Sequence, residues 1–213
     1  MGIREKRIFV NSIKMKIMDP KLITILGLLC FCQICWGQIP PKADQITAAV
    51  QAAPEEMRSS AGVLGYDQDG KLLLLKESRN DILCLADDPN DSKFDAACYH
   101  KDLDPFMARG RALKAEGKNP REIFDIREKE AKTGALKMPE QPTTLHILSG
   151  KDGKYNPETG VVEGAAYRYV VYIPFATSNS TGLPTRPTAP GHPWIMDPGT
   201  HRAHIMITPP RGN

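Results

Sequence analysis

The chain has 213 residues, with 28 Lys and Arg side chains against 25 Asp and Glu, and a formal net charge of +3. This length favours a single folded domain. Residues 1–37 hold six basic and two acidic side chains, so the remaining chain has a net charge of −1. Nucleic-acid-binding proteins usually carry a basic face or stripe, and nothing in this near-neutral remainder indicates one, so we expect no nucleic-acid partner.

The first 37 residues have the three parts of a secretion signal. Residues 1–21 are basic, Leu22–Trp36 is almost wholly apolar, and the small residue Gly37 precedes a polar region. The apolar stretch is shorter than the roughly 20 residues of a membrane-spanning helix, which disfavours an uncleaved anchor. We therefore expect a signal peptide cleaved after Gly37, a periplasmic or secreted protein, and no stable membrane span after cleavage. Translation could begin at the first residue, at Met15 or at Met18.

Cysteine usage agrees with export. Three of the five cysteines lie in the predicted signal, which leaves Cys84 and Cys98. Two cysteines in an oxidising compartment are expected to pair, so we predict a disulfide between them. The alternative is two buried free thiols. Cys98 also stands close to His100, but catalytic pairs are neighbours in space rather than in sequence, and this closeness does not indicate one.

The chain after the signal begins with a helix and a group of strands. Residues 38–43 are expected to be a linker before a single domain over residues 44–213. Asp44 is expected to cap a helix from about Gln45 to Met57, and Pro54 weakens the end of that helix. An Asp-Gly turn between two apolar runs predicts a hairpin, and a third apolar run predicts an antiparallel meander. The three runs are Ala61–Tyr66, Lys71–Glu77 and Ile82–Ala86.

Two charged helices are predicted next. Asp104 is expected to cap a helix over Phe106–Glu116, with Pro105 at its first position. Asn119 begins a second helix, which has an acidic residue at its third position and ends near Thr133. We expect the two helices to form a helical hairpin against the sheet.

The last third of the sequence returns to strands, which are predicted over Thr143–Leu148, Tyr167–Ala176 and Ala203–Thr208. Between the first two strands, residues 149–159 are rich in turn residues. The loop over Thr177–Pro193 is long enough to indicate a functional or mobile segment. Strands followed by helices and then by strands indicate an α+β fold. Its antiparallel sheet is expected to combine the N-terminal meander with the C-terminal strands, under the helical hairpin.

The candidate site is a histidine-rich stretch near the C-terminus. His201, His204, Asp197 and His192 are candidate ligands for zinc or a similar divalent metal, because imidazole and carboxylate groups bind such ions. For acid–base catalysis the candidates are His201, His204 and Asp197, with His100. In an extended segment His201 and His204 would point to opposite faces, so a shared metal requires a turn.

The alternative to a site in this stretch is purely structural. Asp197 would form a turn, His204 would lie at a strand edge, and Trp194 would fill the core. A short His-x-x-His pattern by itself has low specificity for metal. No cofactor is therefore predicted from the sequence, and zinc stays one option.

Four stretches of the chain resemble uncharacterised exported bacterial proteins, which belong to no named family and have no known activity. They are Gly65–Asp67, Cys84–Asp88, Ala97–His100 and Met196–His204. The resemblance implies export and a bacterial source. It transfers no activity and no site residues.

The sequence leaves open whether this protein is an enzyme. It lacks the common signatures of hydrolases, metalloproteases, nucleotide-binding loops and dinucleotide-binding folds. The first hypothesis is a non-catalytic binding or structural module of the periplasm or extracellular space. The alternative is a small exported hydrolase that uses the C-terminal His/Asp cluster, with or without a metal. Nothing in the sequence indicates the ligand, the partner or the oligomeric state.

Overall fold

The computed structural model describes residues 39–210. The predicted signal peptide over residues 1–37, its cleavage point and the first residue of the predicted linker lie outside the described residues. Within residues 39–210, no helix is both long enough and apolar enough to cross a membrane.

The described residues form five helices, a 3-10 turn and ten strands. The helices are α1 (Lys42–Val50), α2 (Glu55–Arg58), α3 (Asp104–Ala115), α4 (Pro120–Lys132) and α5 (Ser178–Thr181), with the 3-10 turn at Lys101–Leu103. The strands are β1 (Gly62–Tyr66), β2 (Leu72–Lys76), β3 (Ile82–Leu85), β4 (Phe94–His100), β5 (Thr143–Gly150), β6 (Lys154–Asn156), β7 (Val161–Glu163), β8 (Ala166–Tyr172), β9 (Trp194–Met196) and β10 (His204–Ile207).

Eight of these strands form one sheet in the order β2-β1-β3-β4-β5-β8-β10-β9, and β6 and β7 form a separate hairpin. Every neighbouring pair in the large sheet is antiparallel except β1 and β3. The predicted α+β fold, with a mainly antiparallel sheet and a helical hairpin, is confirmed.

The predicted meander is wrong in the position of its third strand. β3 lies on the opposite side of β1 from β2 and runs parallel to β1, with Val63 opposite Cys84. The connection from β2 therefore crosses the start of β1, where Arg79 N donates a hydrogen bond to the Ser60 carbonyl at 2.8 Å. Gly62 makes room for this crossing, because a Cβ atom there would lie 2.9 Å from the Cβ of Ser78.

Helix α1 begins earlier and ends earlier than the sequence predicts. Pro41 takes the N-cap position instead of Asp44, so the last two residues of the predicted linker are helical. The helix ends at Val50, and Pro54 precedes the short helix α2. Gln45 is buried and ties α1 to the end of β1, since its side chain accepts a hydrogen bond from Tyr66 N and donates one to Tyr66 O.

The helical hairpin matches the prediction closely. Asn119 accepts hydrogen bonds from Arg121 N and Glu122 N, and Glu122 accepts one from Asn119 N. This reciprocal capping box fixes the start of α4. The predicted cap of α3 is wrong: Leu103 takes the N-cap position, Asp104 is the first helical residue, and Pro105 follows it in the first turn.

The two faces of the sheet carry two separate cores. Helix α1 covers the first core, which includes Val63, Ala96, Leu148 and both cysteines. Cys84 and Cys98 lie directly opposite each other on β3 and β4 and form the predicted disulfide, which is confirmed. The second core lies under α3 and includes Leu103, Phe106, Tyr99, Val170 and Met206.

The C-terminal strands differ from the prediction in extent. The turn-rich region after β5 contains β6, which pairs with β7. β8 ends at Tyr172, shortly before Pro174, which lacks a backbone N–H, and before Phe175, which has a φ of +63°. The three-residue strand β9, which forms one edge of the sheet, is not predicted from the sequence.

Candidate functional site

His201 is enclosed in the turn that leads into β10. Its side chain is 0% exposed and lies against the rings of Phe106 and Phe124, at centroid distances of 5.7 and 4.9 Å. One carboxylate oxygen of Glu128, on α4, accepts a hydrogen bond from His201 N at 2.8 Å and lies 2.5 Å from its Nδ1 atom. Glu128 therefore links this turn to helix α4 of the helical hairpin through hydrogen bonds.

Burial of His201 favours the neutral form of its ring, although the carboxylate of Glu128 lies beside it. Burial alone would raise the pKa of Glu128, but hydrogen bonds from Lys132 and from His201 outweigh burial and lower this pKa to about 2. Burial, with the nearby charges of Arg127 and Arg202, lowers the pKa of His201, although Glu128 opposes this. The ring then donates through Nδ1–H, and its Nε2 atom has no hydrogen-bond partner among residues 39–210. Protonation of Nε2 would bury an unpaired donor, which is costly.

His204 makes a different contact from His201. It is 5% exposed, and its Nδ1 atom lies 2.7 Å from the Arg202 carbonyl oxygen, to which a neutral ring donates a hydrogen bond. Burial lowers the pKa of His204. The two histidines thus bond separately, one to a carboxylate and one to the backbone.

The other predicted site residues lie apart or are already bonded. Asp197 occupies a turn at φ +51°, and its carboxylate accepts a hydrogen bond from Arg202 Nε at 2.7 Å. His192 lies exposed on the loop before β9, and His100 lies at the end of β4 beside Asp102. No group of three or more His, Cys, Asp or Glu side chains within residues 39–210 could hold a metal ion. Residues 39–210 therefore provide no set of ligands that would support the zinc hypothesis.

Arg127 is a buried charge that the sequence analysis missed. Its guanidinium carbon lies 3.9 Å from the centroid of the Phe106 ring, and its Nη1 atom donates to the Phe106 carbonyl at 3.2 Å. Burial lowers the pKa of Arg127 to about 10. An arginine in a charged amphipathic helix resembles a solvent-exposed residue in sequence, so only the packing of α4 against α3 reveals its position.

The second feature that the sequence analysis missed is a cavity of about 610 Å³ beside the β9 edge of the sheet. We call it the loop cavity. Its lining residues come from the sheet, from the loop before β9 and from the end of the described chain. They are Arg168, Trp194, Met196 and Met206; Pro187, Thr188, Ala189, Pro190, Gly191 and His192; and Thr208, Pro209 and Pro210.

Strand register and loop contacts hold the loop cavity together. Met206 lies opposite Trp194 on the neighbouring strand, so their side chains share one face of the sheet. The loop is attached to the sheet edge where Ile195 N donates to the Pro184 carbonyl at 2.9 Å. Gly191, at φ +77°, permits close contact with the C-terminal segment, because a Cβ atom there would lie 3.3 Å from the Pro210 ring.

The loop cavity is mainly apolar, with few polar groups. Arg168 and His192 are the ionisable side chains among its lining residues, which include no Asp or Glu. The hydroxyl of Thr188 lies 3.3 Å from His192 Nδ1. No carboxylate among residues 39–210 is hydrogen-bonded to this imidazole to orient it, as a nucleophile and base pair would require. The arrangement is suited to binding a small molecule.

A second cavity, of about 350 Å³, lies between α1 and the loop from β3 to β4. Asp87 lines it, and burial raises the pKa of Asp87 to about 6, although a hydrogen bond from Asp95 N opposes this rise. The other acidic residues of the loop have local partners: Asp88 accepts from Asn90, Asp91 accepts from Ser92, and Asp95 pairs with Lys93. This acidic loop is therefore held by its own turn contacts.

The histidine-rich stretch thus divides between two roles. His192, Trp194 and Met196 line the loop cavity, whereas contacts of residues 197–204 hold the start of β10 against α4 and the sheet. Comparison with models of protein families, with curated proteins and with solved structures finds no match to this chain.

Proposed function

We propose that this protein is an exported, non-catalytic binding module whose ligand occupies the loop cavity. The observation that carries the proposal is the cavity itself, whose volume of about 610 Å³ is typical of small-ligand sites. Its apolar lining with a few polar groups is also typical of such sites.

The same geometry supports binding over the hydrolase alternative. That alternative uses His201 and His204, which are 0% and 5% exposed. A substrate cannot reach these rings without unpacking the turn that holds them. Their hydrogen bonds to Glu128 and to the Arg202 carbonyl are typical of structural histidines.

Export is supported by the buried Cys84–Cys98 disulfide, since such bonds persist in oxidising compartments and are rare in the cytosol. The signal-like N-terminus supports it independently. The test is expression of the full chain in a bacterial host, followed by fractionation and intact-mass measurement. We expect a periplasmic or secreted protein that begins at Gln38. Cytoplasmic protein with an intact N-terminus contradicts export.

The binding proposal can be tested through Trp194. The chain has two tryptophans, and Trp36 lies in the predicted signal, so Trp194 becomes the reporter after cleavage. The neutral fluorophore N-phenyl-1-naphthylamine is titrated into the purified protein, and energy transfer from Trp194 is recorded. We expect saturable transfer, since Trp194 lines the loop cavity.

A matched pair of substitutions locates the binding site. Ala189→Phe places a ring in the loop cavity and is expected to weaken probe binding by about tenfold or more. Ala43→Phe makes the same change on the exposed side of α1 and is expected to leave binding unchanged. The proposal fails if no saturable binding occurs, or if both variants bind the probe as the unmodified protein does.

A further inference from the structure

We infer that the loop cavity selects a small amphipathic carboxylate, with an apolar chain or ring system as its body and one carboxylate as its head group. This inference rests on the proposed function of the cavity and names the class of its ligand. Its support is the position of Arg168 at an otherwise apolar site.

Arg168 faces the loop cavity because of strand alternation. Tyr167 and Tyr169 flank it on β8 and stack on each other, with ring centroids 6.2 Å apart, on the opposite face of the sheet. Arg168 projects to the face that carries Met206 and Trp194, and it lines the cavity with them.

The guanidinium of Arg168 has no anionic partner within the described chain. No carboxylate among residues 39–210 lies within the 4.0 Å of an ion pair with it. Four arginines are paired: Arg109 with Glu130, Arg111 with Asp104, Arg121 with Asp125 and Arg202 with Asp197. Among the other arginines of residues 39–210, which also form no ion pair, Arg168 is the one that lines the loop cavity. Arg168 is thus available to a ligand.

The electrostatics of the cavity favour one negative charge. Arginine is always charged at physiological pH, and its planar fork matches a carboxylate. The absence of Asp and Glu from the lining residues leaves this charge unopposed within the cavity, although Arg168 is exposed and water screens its attraction for an anion. Lys93 lies near Arg168 but is paired with Asp95 at 2.6 Å. A single available cation suits a monoanionic carboxylate better than a phosphate dianion.

The rest of the cavity suits an apolar body. Trp194 offers a flat ring, and Met196 and Met206 offer flexible thioether side chains that adapt to irregular shapes. Thr188 and His192 lie within the same lining and provide hydrogen-bonding groups at the loop. An aliphatic or aromatic carboxylate would therefore bury its body against the sheet and reach Arg168 with its head group.

The experiment compares decanoate with decanol, which share the same apolar length and differ in charge. Binding to the purified protein is measured by Trp194 fluorescence below the aggregation limit of either compound. We expect decanoate to bind about threefold to fivefold more tightly than decanol, which is the scale of an exposed ion pair. Arg168→Gln is expected to remove this preference by weakening decanoate binding, whereas Arg168→Lys keeps part of it. Arg186→Gln, an exposed loop arginine that does not line the cavity, is expected to keep all of it.

The outcomes separate this inference from the proposed function. Equal binding of decanoate and decanol overturns the carboxylate inference, while the binding function stands because decanol still binds. A preference for decanoate that survives Arg168→Gln also overturns it. If neither compound binds and the neutral probe also fails, the proposed function falls with the inference.

Discussion

One carboxylate oxygen of Glu128 contacts both the backbone N and the ring Nδ1 of His201, although 73 residues separate the two in sequence. This double contact joins the helical hairpin to the turn before β10. It also shows that the most histidine-rich part of the chain stabilises the structure at this point. The candidate binding surface lies in the neighbouring loop cavity.

The contact predicts that Glu128→Ala destabilises the protein. The substitution leaves two His201 donors buried without their acceptor, at a cost of about 2–3 kcal/mol in the free energy of unfolding. Glu128→Gln keeps one acceptor oxygen and is expected to cost less. Urea denaturation at neutral pH measures both values.

Asp125→Ala is the control for Glu128. Asp125 lies on the same helix and pairs with Arg121 at the surface, so its removal is expected to cost less than about 1 kcal/mol. Equal losses for Asp125→Ala and Glu128→Ala would contradict the structural role of Glu128.

The lowered pKa of His204 predicts a pH-dependent stability. A histidine whose pKa is lower in the folded state binds more protons when the protein is unfolded. The stabilisation that the neutral His204 ring provides is therefore lost progressively as the pH falls below 6.5, the ordinary pKa of histidine. His204→Asn keeps a donor for the Arg202 carbonyl but removes the titrating ring. The variant is expected to be less stable at about pH 7.5, by roughly 1–2 kcal/mol, and this deficit should narrow near pH 5.

Ile195→Val provides a control without an ionisable group. Ile195 is 0% exposed, so its truncation is expected to destabilise the protein by about 1 kcal/mol, equally at both pH values. The urea midpoints of the unmodified protein, His204→Asn and Ile195→Val are compared at about pH 7.5 and about pH 5. A His204→Asn deficit that does not change with pH would count against the lowered pKa.

The raised pKa of Asp87 predicts that its ionised form weakens the fold. Its pKa of about 6 in the folded state exceeds the ordinary 3.8, so ionisation costs stability above about pH 6 and nothing below about pH 4. Asp87→Asn keeps an acceptor for Asp95 N. We expect a gain of about 1 kcal/mol near pH 7.5, after allowance for partial exposure, that disappears near pH 4.

Asp69→Asn serves as the control for Asp87, because Asp69 lies exposed in the turn between β1 and β2. We expect its effect on unfolding to be within about 0.5 kcal/mol. A loss of stability in Asp87→Asn at neutral pH would refute the prediction.

The disulfide predicts a large stabilising effect. Cys84 and Cys98 are 14 residues apart, and the chain-entropy model assigns such a loop on the order of 3 kcal/mol. The double variant Cys84→Ala and Cys98→Ala is expected to lose about this amount in urea unfolding. Peptide mapping without reduction should recover the two cysteines in one cross-linked fragment. Alkylation of either cysteine in the unreduced protein would contradict the pairing.

Local features of the fold could be predicted from the sequence. The capping box of Asn119 and Glu122 depends on residues three apart, and the turn at Asp69 and Gly70 depends on a glycine at φ +76°. Such features need no distant partner, so the residue types alone indicate them. The pairing of the two remaining cysteines was predictable because only one pair was left.

The sequence did not indicate which strands that are distant in the chain pair with each other in the sheet. The Asp-Gly hairpin joins β1 and β2, but the side of β1 on which β3 packs depends on a crossing over Gly62 that no local pattern indicates. Strand β9 was missed because its three residues are too few for a clear periodicity, and its partner β10 lies beyond a turn.

The sequence by itself determined the charge balance, the α+β pattern of elements, the signal-like N-terminus and the one available cysteine pair. The tertiary structure alone decided which polar groups are enclosed and which are open to a ligand. His201 and Arg168 are both polar residues near strands, and their sequence context does not separate their roles. His201 is bonded to Glu128, which lies 73 residues away in the sequence. Arg168 faces a cavity that is formed by the sheet, the loop before β9 and the end of the described chain. Burial and convergence depend on packing between distant segments, and packing is a property of the folded chain.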